Sequence, residues 1–199
     1  IMGQRLAEWC GKGPYLEEDI AVINIALDQL GQANNFYNLA ANLFNDGRTA
    51  DDFAMLRVEK EYLNAQLVEL PNGDYANTIM KAYFFAVYQK LLYENLSNSA
   101  DEELRAIAQK SLKEVKYHYT HTETWMRIFA QGTEESRKRI EAALENLWEY
   151  TGGLFDEVEE EENLVALNLI PASKQLQEEW KAKIVEDFAK FGLKIPASE

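Results

Sequence analysis

The stretch from Asp101 to Ala130 constrains the fold more than any other part of the chain, because its apolar residues recur every three or four positions. This spacing is typical of an amphipathic helix with one side against a core, and a strand would alternate instead. The apolar side consists of Leu104, Ile107, Ala108, Leu112, Val115, Tyr119, Thr122, Trp125, Met126 and Phe129. The stretch therefore predicts one long, partly buried helix.

The same stretch carries both histidines of the chain, His118 and His121. At about 100° per residue, His118 lies within the apolar side, and Glu114, one turn earlier, lies at its margin. A carboxylate and an imidazole one turn apart are ligands that a helix can offer to a metal. The alternative is that Glu114 and His118 satisfy each other inside a core, since one such pair is too small a ligand set.

Apart from a short helix capped by Thr49, five further helices are predicted from apolar spacing and from the turn residues between them. They cover residues 1–11, 15–45, 74–96, 134–150 and 174–191. The first, second and third of these, together with the helix over Asp101–Ala130, give four bundle helices, and a long connection joins helices two and three. We therefore predict an all-α, ferritin-like four-helix bundle with extra C-terminal helices.

Composition limits the classes of function that the chain can have. Its 199 residues are enough for one domain that folds without disulfides, and a single cysteine permits no internal disulfide and no cysteine-based zinc site. A net charge of −14 opposes binding to nucleic acid or to an anionic membrane surface. There is no apolar run long enough to span a membrane. We expect one domain over residues 1–199, in the cytoplasm, without nucleic acid or membrane partners.

The acid is concentrated in the run from Asp156 to Glu162, DEVEEEE. Runs of like charge are typical of solvated loops, so a solvated loop is the first interpretation. The alternative is a docking strip for a basic partner.

The second helix has a broad apolar side and a polar seam at the edge of that side. We expect the apolar side to face the core, and it comprises Leu16, Ile20, Ile23, Leu27, Leu30, Tyr37, Ala41 and Phe44. The seam consists of Asn24, Asp28, Gly31 and Asn35. Because glycine inside a helix costs about 1 kcal/mol relative to alanine, we expect another group to approach closely at Gly31.

The third helix, from Asp74 to Leu96, is apolar around most of its circumference. Such a helix is covered on most sides, either by its own bundle or by another subunit. We predict that it forms part of an interface with another subunit, with Tyr83 and Tyr93 as the candidate contact residues.

A di-iron site of the ferritin-like kind takes one glutamate from each of two helices and a Glu-x-x-His motif from each of the other two. The candidate ligands in this chain are Glu8, Asp28, Glu114 and His118. The set is incomplete, because Gly31 stands where an imidazole is required and both histidines lie on one helix. We therefore predict no metal, no bound cofactor and no catalytic residue in this chain, and we interpret the four candidates as remnants of a site.

Four segments together resemble a known family: Gln4–Phe36, Leu70–Phe85, Lys113–Ser136 and Leu147–Asp156. They are similar to the PaaC-type subunit of ring 1,2-phenylacetyl-CoA epoxidase, the bacterial phenylacetate-CoA oxygenase. The ordered set carries the resemblance, including Leu-Asp-x-Leu-Gly-Gln-Ala at Leu27–Ala33, and no single piece is a catalytic signature. The family usually extends further at both ends, so we expect this chain to be trimmed.

The resemblance implies a ferritin-like fold and a role in a multicomponent monooxygenase that epoxidises the ring of phenylacetyl-CoA. In such complexes a related ferritin-like subunit holds the di-iron centre and the substrate, and the PaaC-type chain is its structural partner. A reductase passes electrons from NADPH through FAD and an iron–sulfur cluster, and further small subunits belong to the assembly. Glu8, Asp28, Glu114 and His118 then correspond to ligand positions of the catalytic relative. The alternative is that this chain is itself a metal-dependent oxidase, di-iron or mononuclear, with those four residues as ligands.

Overall fold

The helices predicted from the sequence are present in a computed structural model, which describes residues 1–196. Within that range the chain is all-α and contains no strand, as expected for a ferritin-like bundle. The helices are α1 (Met2–Ala7), α2 (Leu16–Phe44), α3 (Ala50–Met55), α4 (Gln66–Glu69), α5 (Tyr75–Leu96), α6 (Glu102–Gln131), α7 (Glu134–Trp148), α8 (Glu161–Ala166) and α9 (Ser173–Phe191). Two 3-10 segments, Glu59–Glu61 and Glu149–Phe155, lie between them.

Side-chain caps begin the helices α5 and α6. The carboxylate of Asp74 accepts a hydrogen bond from the backbone N–H of Asn77, and the carboxylate of Asp101 accepts one from the N–H of Leu104. Each cap satisfies a backbone donor that the first turn of the helix leaves unpaired. At the other end of α2, Asn45 adopts a left-handed conformation with φ 47°, which stops the helix.

The α5 helix is buried by its own chain, since it packs against α6, α7 and α9. The side chains of Tyr83 and Tyr93 are 0% and 4% exposed, so the prediction that they contact another subunit was wrong. Their hydroxyl groups are also bonded internally, Tyr83 to Asp187 and Tyr93 to Gln32. The apolar circumference of α5 is explained by the C-terminal helices of the same chain, which cover the side that a partner would otherwise cover.

The α2 helix presents to solvent much of the apolar side that we expected to face inward. Leu16, Ile20 and Leu27 are 69%, 53% and 60% exposed. The buried side of the helix consists instead of Val22, Ile25, Ala26, Gln32 and Leu39. The expectation was wrong because α2 carries apolar residues on more than one side, and the side with Val22, Ile25, Ala26 and Leu39 is the one that packs against the bundle.

Part of the acidic run is structural rather than solvated. Residues 156–160 and Glu162 are exposed, as the sequence predicts, but Glu161 is buried. Its carboxylate accepts hydrogen bonds from the backbone N–H and the hydroxyl of Ser173, at 2.7 and 2.6 Å. These bonds hold the pKa of the Glu161 carboxyl below its usual value and fix α8 against the start of α9.

No helix in the described part of the chain is both long and apolar enough to cross a membrane.

Candidate functional site

The best-defined polar feature between the helices is a contact between α2 and α6. The Nε2 atom of His118 lies 2.9 Å from Oδ2 of Asp28. His118 is almost completely buried, whereas about a third of the Asp28 side chain remains exposed. A histidine of α6 and a carboxylate of α2, which are far apart in the sequence, are thus directly hydrogen-bonded.

Glutamine side chains extend this contact into the bundle. Gln29 and Gln89 exchange two amide hydrogen bonds of 2.6 and 2.9 Å, and the Nε2 atom of Gln29 also lies 3.3 Å from Nδ1 of His118. Because that amide nitrogen can only donate, Nδ1 of His118 accepts and the ring proton is on Nε2. The histidine therefore donates to Asp28, and both of its nitrogens have partners.

Glu114 joins the same network through a different glutamine. The Nε2 atom of Gln32 donates to Oε2 of Glu114 at 2.9 Å. The Oε1 atom of Gln32 accepts from Gln89 and from the hydroxyl of Tyr93, at 3.3 and 3.2 Å. One interpretation of the sequence paired Glu114 with His118. In the structure, each of the two instead bonds to residues of α2.

Burial keeps His118 neutral. Removal from water lowers the pKa of the imidazole below its ordinary value, although the bond to Asp28 and the charge of Glu114 act in the opposite direction. A neutral imidazole agrees with the tautomer that the neighbouring amide requires. The contact between His118 and Asp28 is therefore a hydrogen bond with one charged partner rather than an ion pair.

Glu8 lies apart from the other three candidate ligands. Its carboxylate bonds to Arg5 at 2.8 Å and to Nδ2 of Asn72 at 3.1 Å, just beyond α1, and half of its side chain is exposed. Among residues 1–196 it shares no hydrogen-bond partner with Asp28, Glu114 or His118. The structure therefore brings three of the four candidates into one network and leaves Glu8 outside it.

A second histidine cluster joins α2, α5 and α6. The Oε2 atom of Glu18 accepts from the hydroxyl of Tyr75 at 2.6 Å and lies 2.9 Å from Nε2 of His121. The Nδ1 atom of His121 is buried and has no hydrogen-bond partner among the described residues. Sequence reasoning did not select Glu18 or Tyr75, because nothing in the local pattern connects them with His121.

These residues do not fit a di-iron centre. Within residues 1–196, no group of three or more histidine, cysteine, aspartate or glutamate side chains is arranged to hold a metal ion. Gln29 bonds to His118, Gln32 bonds to Glu114, and Gln89 bonds to both of these glutamines. Neutral amides are poor substitutes for the carboxylates that iron requires. Each candidate ligand in the network already has a protein partner.

The three glutamines are the residues of the network that sequence reasoning missed. Gln89 carried a usable signal, because it is a neutral hydrogen-bonding residue within the apolar α5 segment. A buried amide requires hydrogen-bond partners. A polar residue in such a helix therefore predicts a polar side chain on a neighbouring helix. The identity of that neighbour depends on the packing.

Comparison with known proteins identifies the family of the chain. A family model described as "Phenylacetic acid catabolic protein" matches residues 1–199. The chain belongs to this family. A curated relative, the C component of the 1,2-phenylacetyl-CoA epoxidase of Escherichia coli (strain K12), is 36% identical over 199 residues, which cover 100% of this chain and 80% of the relative. The resemblance found in the sequence is confirmed, and the family assignment places the chain in phenylacetate catabolism.

Proposed function

We propose that this chain is a non-catalytic structural subunit of a multicomponent di-iron monooxygenase that epoxidises the ring of phenylacetyl-CoA. The E. coli relative is named as one lettered subunit of an epoxidase, which supports a place in an assembly of several different chains. The closed hydrogen-bond network of Asp28, His118 and the glutamines supports the absence of catalysis in this one.

The argument for a non-catalytic role depends on the ligands that the interior offers. Two irons in a helical bundle take carboxylates from four helices and an imidazole on each side. Here α5 contributes the amide of Gln89, and the single histidine of the network has both nitrogens occupied. To bind a metal, the chain would have to break several satisfied buried hydrogen bonds, which is unfavourable.

Under this proposal, other subunits of the complex catalyse the reaction. The proposal assigns the di-iron centre and the phenylacetyl-CoA site to a related ferritin-like subunit. It assigns electron delivery from NADPH, through FAD and an iron–sulfur cluster, to a reductase subunit, and it includes the small subunits of the complex. A reaction that consumes NADPH and a coenzyme A thioester also assigns the assembly to the cytoplasm.

The test is to produce this chain alone and together with the ferritin-like catalytic subunit. The proposal expects co-purification of the two chains, no stoichiometric iron in this chain alone, and turnover of phenylacetyl-CoA only by the complete complex with its reductase. Glu114→Gln and His118→Gln should leave turnover by the complex unchanged when assembly is intact. Replacement of an iron ligand in the catalytic subunit is the matched control and should abolish turnover.

The competing function is a metal-dependent oxidase in which Glu8, Asp28, Glu114 and His118 bind iron. It predicts near-stoichiometric iron in the isolated chain, lost in Glu114→Gln, and turnover without a second ferritin-like subunit. Those results would overturn the structural role.

A further inference from the structure

The cluster of Tyr75, Glu18 and His121 is a polar group inside the bundle that the proposed function leaves unused. The hydroxyl of Tyr75 donates to Oε2 of Glu18 at 2.6 Å, and Nε2 of His121 lies 2.9 Å from the same oxygen. The side chains of Glu18 and His121 are only 12% and 9% exposed. A phenol, a carboxylate and an imidazole are thus hydrogen-bonded in a largely buried place.

Stability alone does not explain this cluster. Because an ionised carboxylate only accepts hydrogen bonds, the ring proton of His121 is on Nε2, and its Nδ1 atom is left as an acceptor. That atom is buried and has no hydrogen-bond partner among residues 1–196. A buried acceptor without a partner is unfavourable, and a redox or catalytic role is one reason for such a group.

The bond between Tyr75 and Glu18 has the geometry for proton transfer. A base must lie within hydrogen-bond reach of the proton that it takes, and these two oxygens are 2.6 Å apart. Burial, and then the hydrogen bond to Glu18, raise the pKa of the Tyr75 phenol, so the phenol keeps its proton at neutral pH. Such a phenol is oxidised readily only when its proton leaves with the electron, and Glu18 is placed to accept that proton.

Two tryptophans lie edge-on against the ring of Tyr75. The ring centres of Trp9 and Trp125 are each 5.2 Å from that of Tyr75, with interplanar angles of 80° and 87°. The ring of Trp125 lies 6.1 Å from that of Tyr15, which is 49% exposed. Indole and phenol rings lose an electron more readily than other aromatic side chains, and neighbouring rings exchange electrons over such distances. We call Trp9, Tyr75, Trp125 and Tyr15 the aromatic path, because they connect the buried phenol with the surface.

A second contact between a tyrosine and a carboxylate shows what is particular about Glu18. Tyr119 donates to Asp187 at 2.7 Å, and Lys183 and Lys190 donate to the same carboxylate. Two ammonium groups oppose the protonation of Asp187. Within the described part of the chain, Glu18 forms no ion pair with a lysine or an arginine.

We propose that Tyr75 is a redox-active tyrosine. A strong one-electron oxidant takes an electron through the aromatic path, while the phenolic O–H bond breaks and the proton passes to Oε2 of Glu18. The products are the neutral Tyr75 radical, protonated Glu18 and the oxidant reduced by one electron. A thiolate in solution returns one electron along the same path and becomes a thiyl radical, and the proton of Glu18 restores the phenol.

The source of the oxidant in the cell rests on the proposed function. An oxygenase complex activates oxygen, and an oxidant that does not react with the substrate is reduced by other groups of the complex. The aromatic path then protects the complex during turnover. The coupled loss of an electron and a proton by Tyr75 depends on this chain only.

The first experiment oxidises the isolated chain with a photo-excited ruthenium tris(bipyridine) complex and persulfate, and detects radicals by electron paramagnetic resonance. Ring-deuterated tyrosine changes the signal of a tyrosyl radical and separates it from that of tryptophan. Radicals on exposed tyrosines decay by coupling to one another, so the signal that persists belongs to a buried ring. Tyr75→Phe keeps the ring and should lose most of the persistent signal, whereas the matched control Tyr119→Phe should retain it.

The second measurement follows the proton. Glu18→Gln keeps an oxygen that accepts from Tyr75 but does not take its proton, so the rate of radical formation should fall severalfold. Glu17→Gln, at the exposed neighbouring position, is the matched control and should form the radical at the unchanged rate. Formation should also be slower in deuterated water, and Glu18→Gln should reduce that difference. Circular dichroism of each variant checks that the helices are intact.

A persistent signal of equal size in Tyr75→Phe would overturn the inference, because it would assign the radical to another residue. Equal rates in Glu18→Gln and the unchanged chain would also overturn it, because the carboxylate would not be the proton acceptor. Peptide mapping of the unchanged chain requires no variant and should find oxidised products at Trp9 and Trp125. Oxidation confined to other residues would contradict the path. None of these results affects the proposed function.

The complete complex tests the protective role. Tyr75→Phe should leave the initial rate of phenylacetyl-CoA turnover unchanged but should hasten the loss of activity during turnover. Loss of activity at the rate of the unchanged complex would exclude protection by Tyr75. Failure of the complex to assemble would overturn the proposed function, while the radical measured in the isolated chain would stand.

Discussion

His118 donates a hydrogen bond of 2.9 Å from Nε2 to the carboxylate of Asp28, and this bond joins the centre of α6 to the centre of α2. The other nitrogen of the ring lies 3.3 Å from the amide nitrogen of Gln29. His118, a candidate iron ligand, therefore uses the hydrogen-bonding capacity of both ring nitrogens within the protein. Substitutions in this network, and at the buried Asp187 of α9, should change the stability of the fold in distinct ways.

The first prediction concerns replacement of the acceptor of His118. Asp28→Asn keeps an oxygen that can accept from the ring, so we expect the free energy of unfolding to change by about 1 kcal/mol or less. Asp28→Leu leaves a buried N–H of His118 without a partner, and we expect a loss of about 1–3 kcal/mol. Urea unfolding of the three proteins measures both values. Equal tolerance of the two substitutions would mean that the carboxylate contributes nothing inside the bundle.

The second prediction concerns pH. Because burial lowers the pKa of His118 below its ordinary value, the unfolded chain takes up a proton that the folded chain does not, in the interval between the two values. Stability should therefore fall as the pH decreases from about 6.5 towards the folded pKa, by at most about 1.4 kcal/mol per pH unit. Above that interval the histidine is neutral in both states and has no effect on the pH dependence.

The variant His118→Gln should lose this part of the pH dependence. Unfolding experiments at several pH values between about 7 and 5 compare the slope with that of the unchanged chain. Carboxylates elsewhere titrate in both proteins, so the difference between the two slopes isolates the histidine. Identical slopes would show that His118 binds protons equally well in the folded and unfolded states.

The third prediction concerns Asp187, a buried acid on α9. Burial opposes its ionisation, but hydrogen bonds from Tyr119, Lys183 and Lys190 hold the pKa of its carboxyl below the ordinary value. Tyr83 also donates to it, at 3.0 Å. Asp187→Asn removes the charge that these donors share, and we expect a loss of about 2–4 kcal/mol in the free energy of unfolding.

The neighbouring residue provides a matched control for Asp187. Glu186 forms ion pairs with the same two lysines, but more than half of its side chain is exposed. Exposed ion pairs contribute little to stability, so Glu186→Gln should change unfolding much less than Asp187→Asn. A similar effect of both substitutions would mean that the charge of the lysines matters and the burial of Asp187 does not.

The sequence predicted the helices well because the signals involved are local. The N-terminal cap at Asp74, the spacing along α6 and the turn after α2 each depend on residues within a few positions of one another. Hydrogen bonds and side-chain contacts over such distances are determined by the chain itself. The same local logic placed His118 on the buried side of α6, which the structure confirms.

Local signals did not predict which side of a helix faces the bundle. α2 has uncharged residues on nearly its whole circumference, so its periodicity did not distinguish the side facing the bundle from the side facing solvent. Tyr83 was assigned to a partner for a similar reason, because an apolar circumference does not reveal which chain covers it. In both cases the answer depends on helices far away in sequence.

By itself, then, the sequence determined the all-α class, the limits of the long helices, the inward position of His118 and the family. Only the tertiary structure decided that Asp28 is the partner of His118, that Gln32 is the partner of Glu114 and that Glu8 lies elsewhere. The physical reason is the range of the interactions. Helix formation depends on neighbours within about one or two turns, whereas buried polar groups must find partners across the bundle, and packing of the whole chain selects which ones meet.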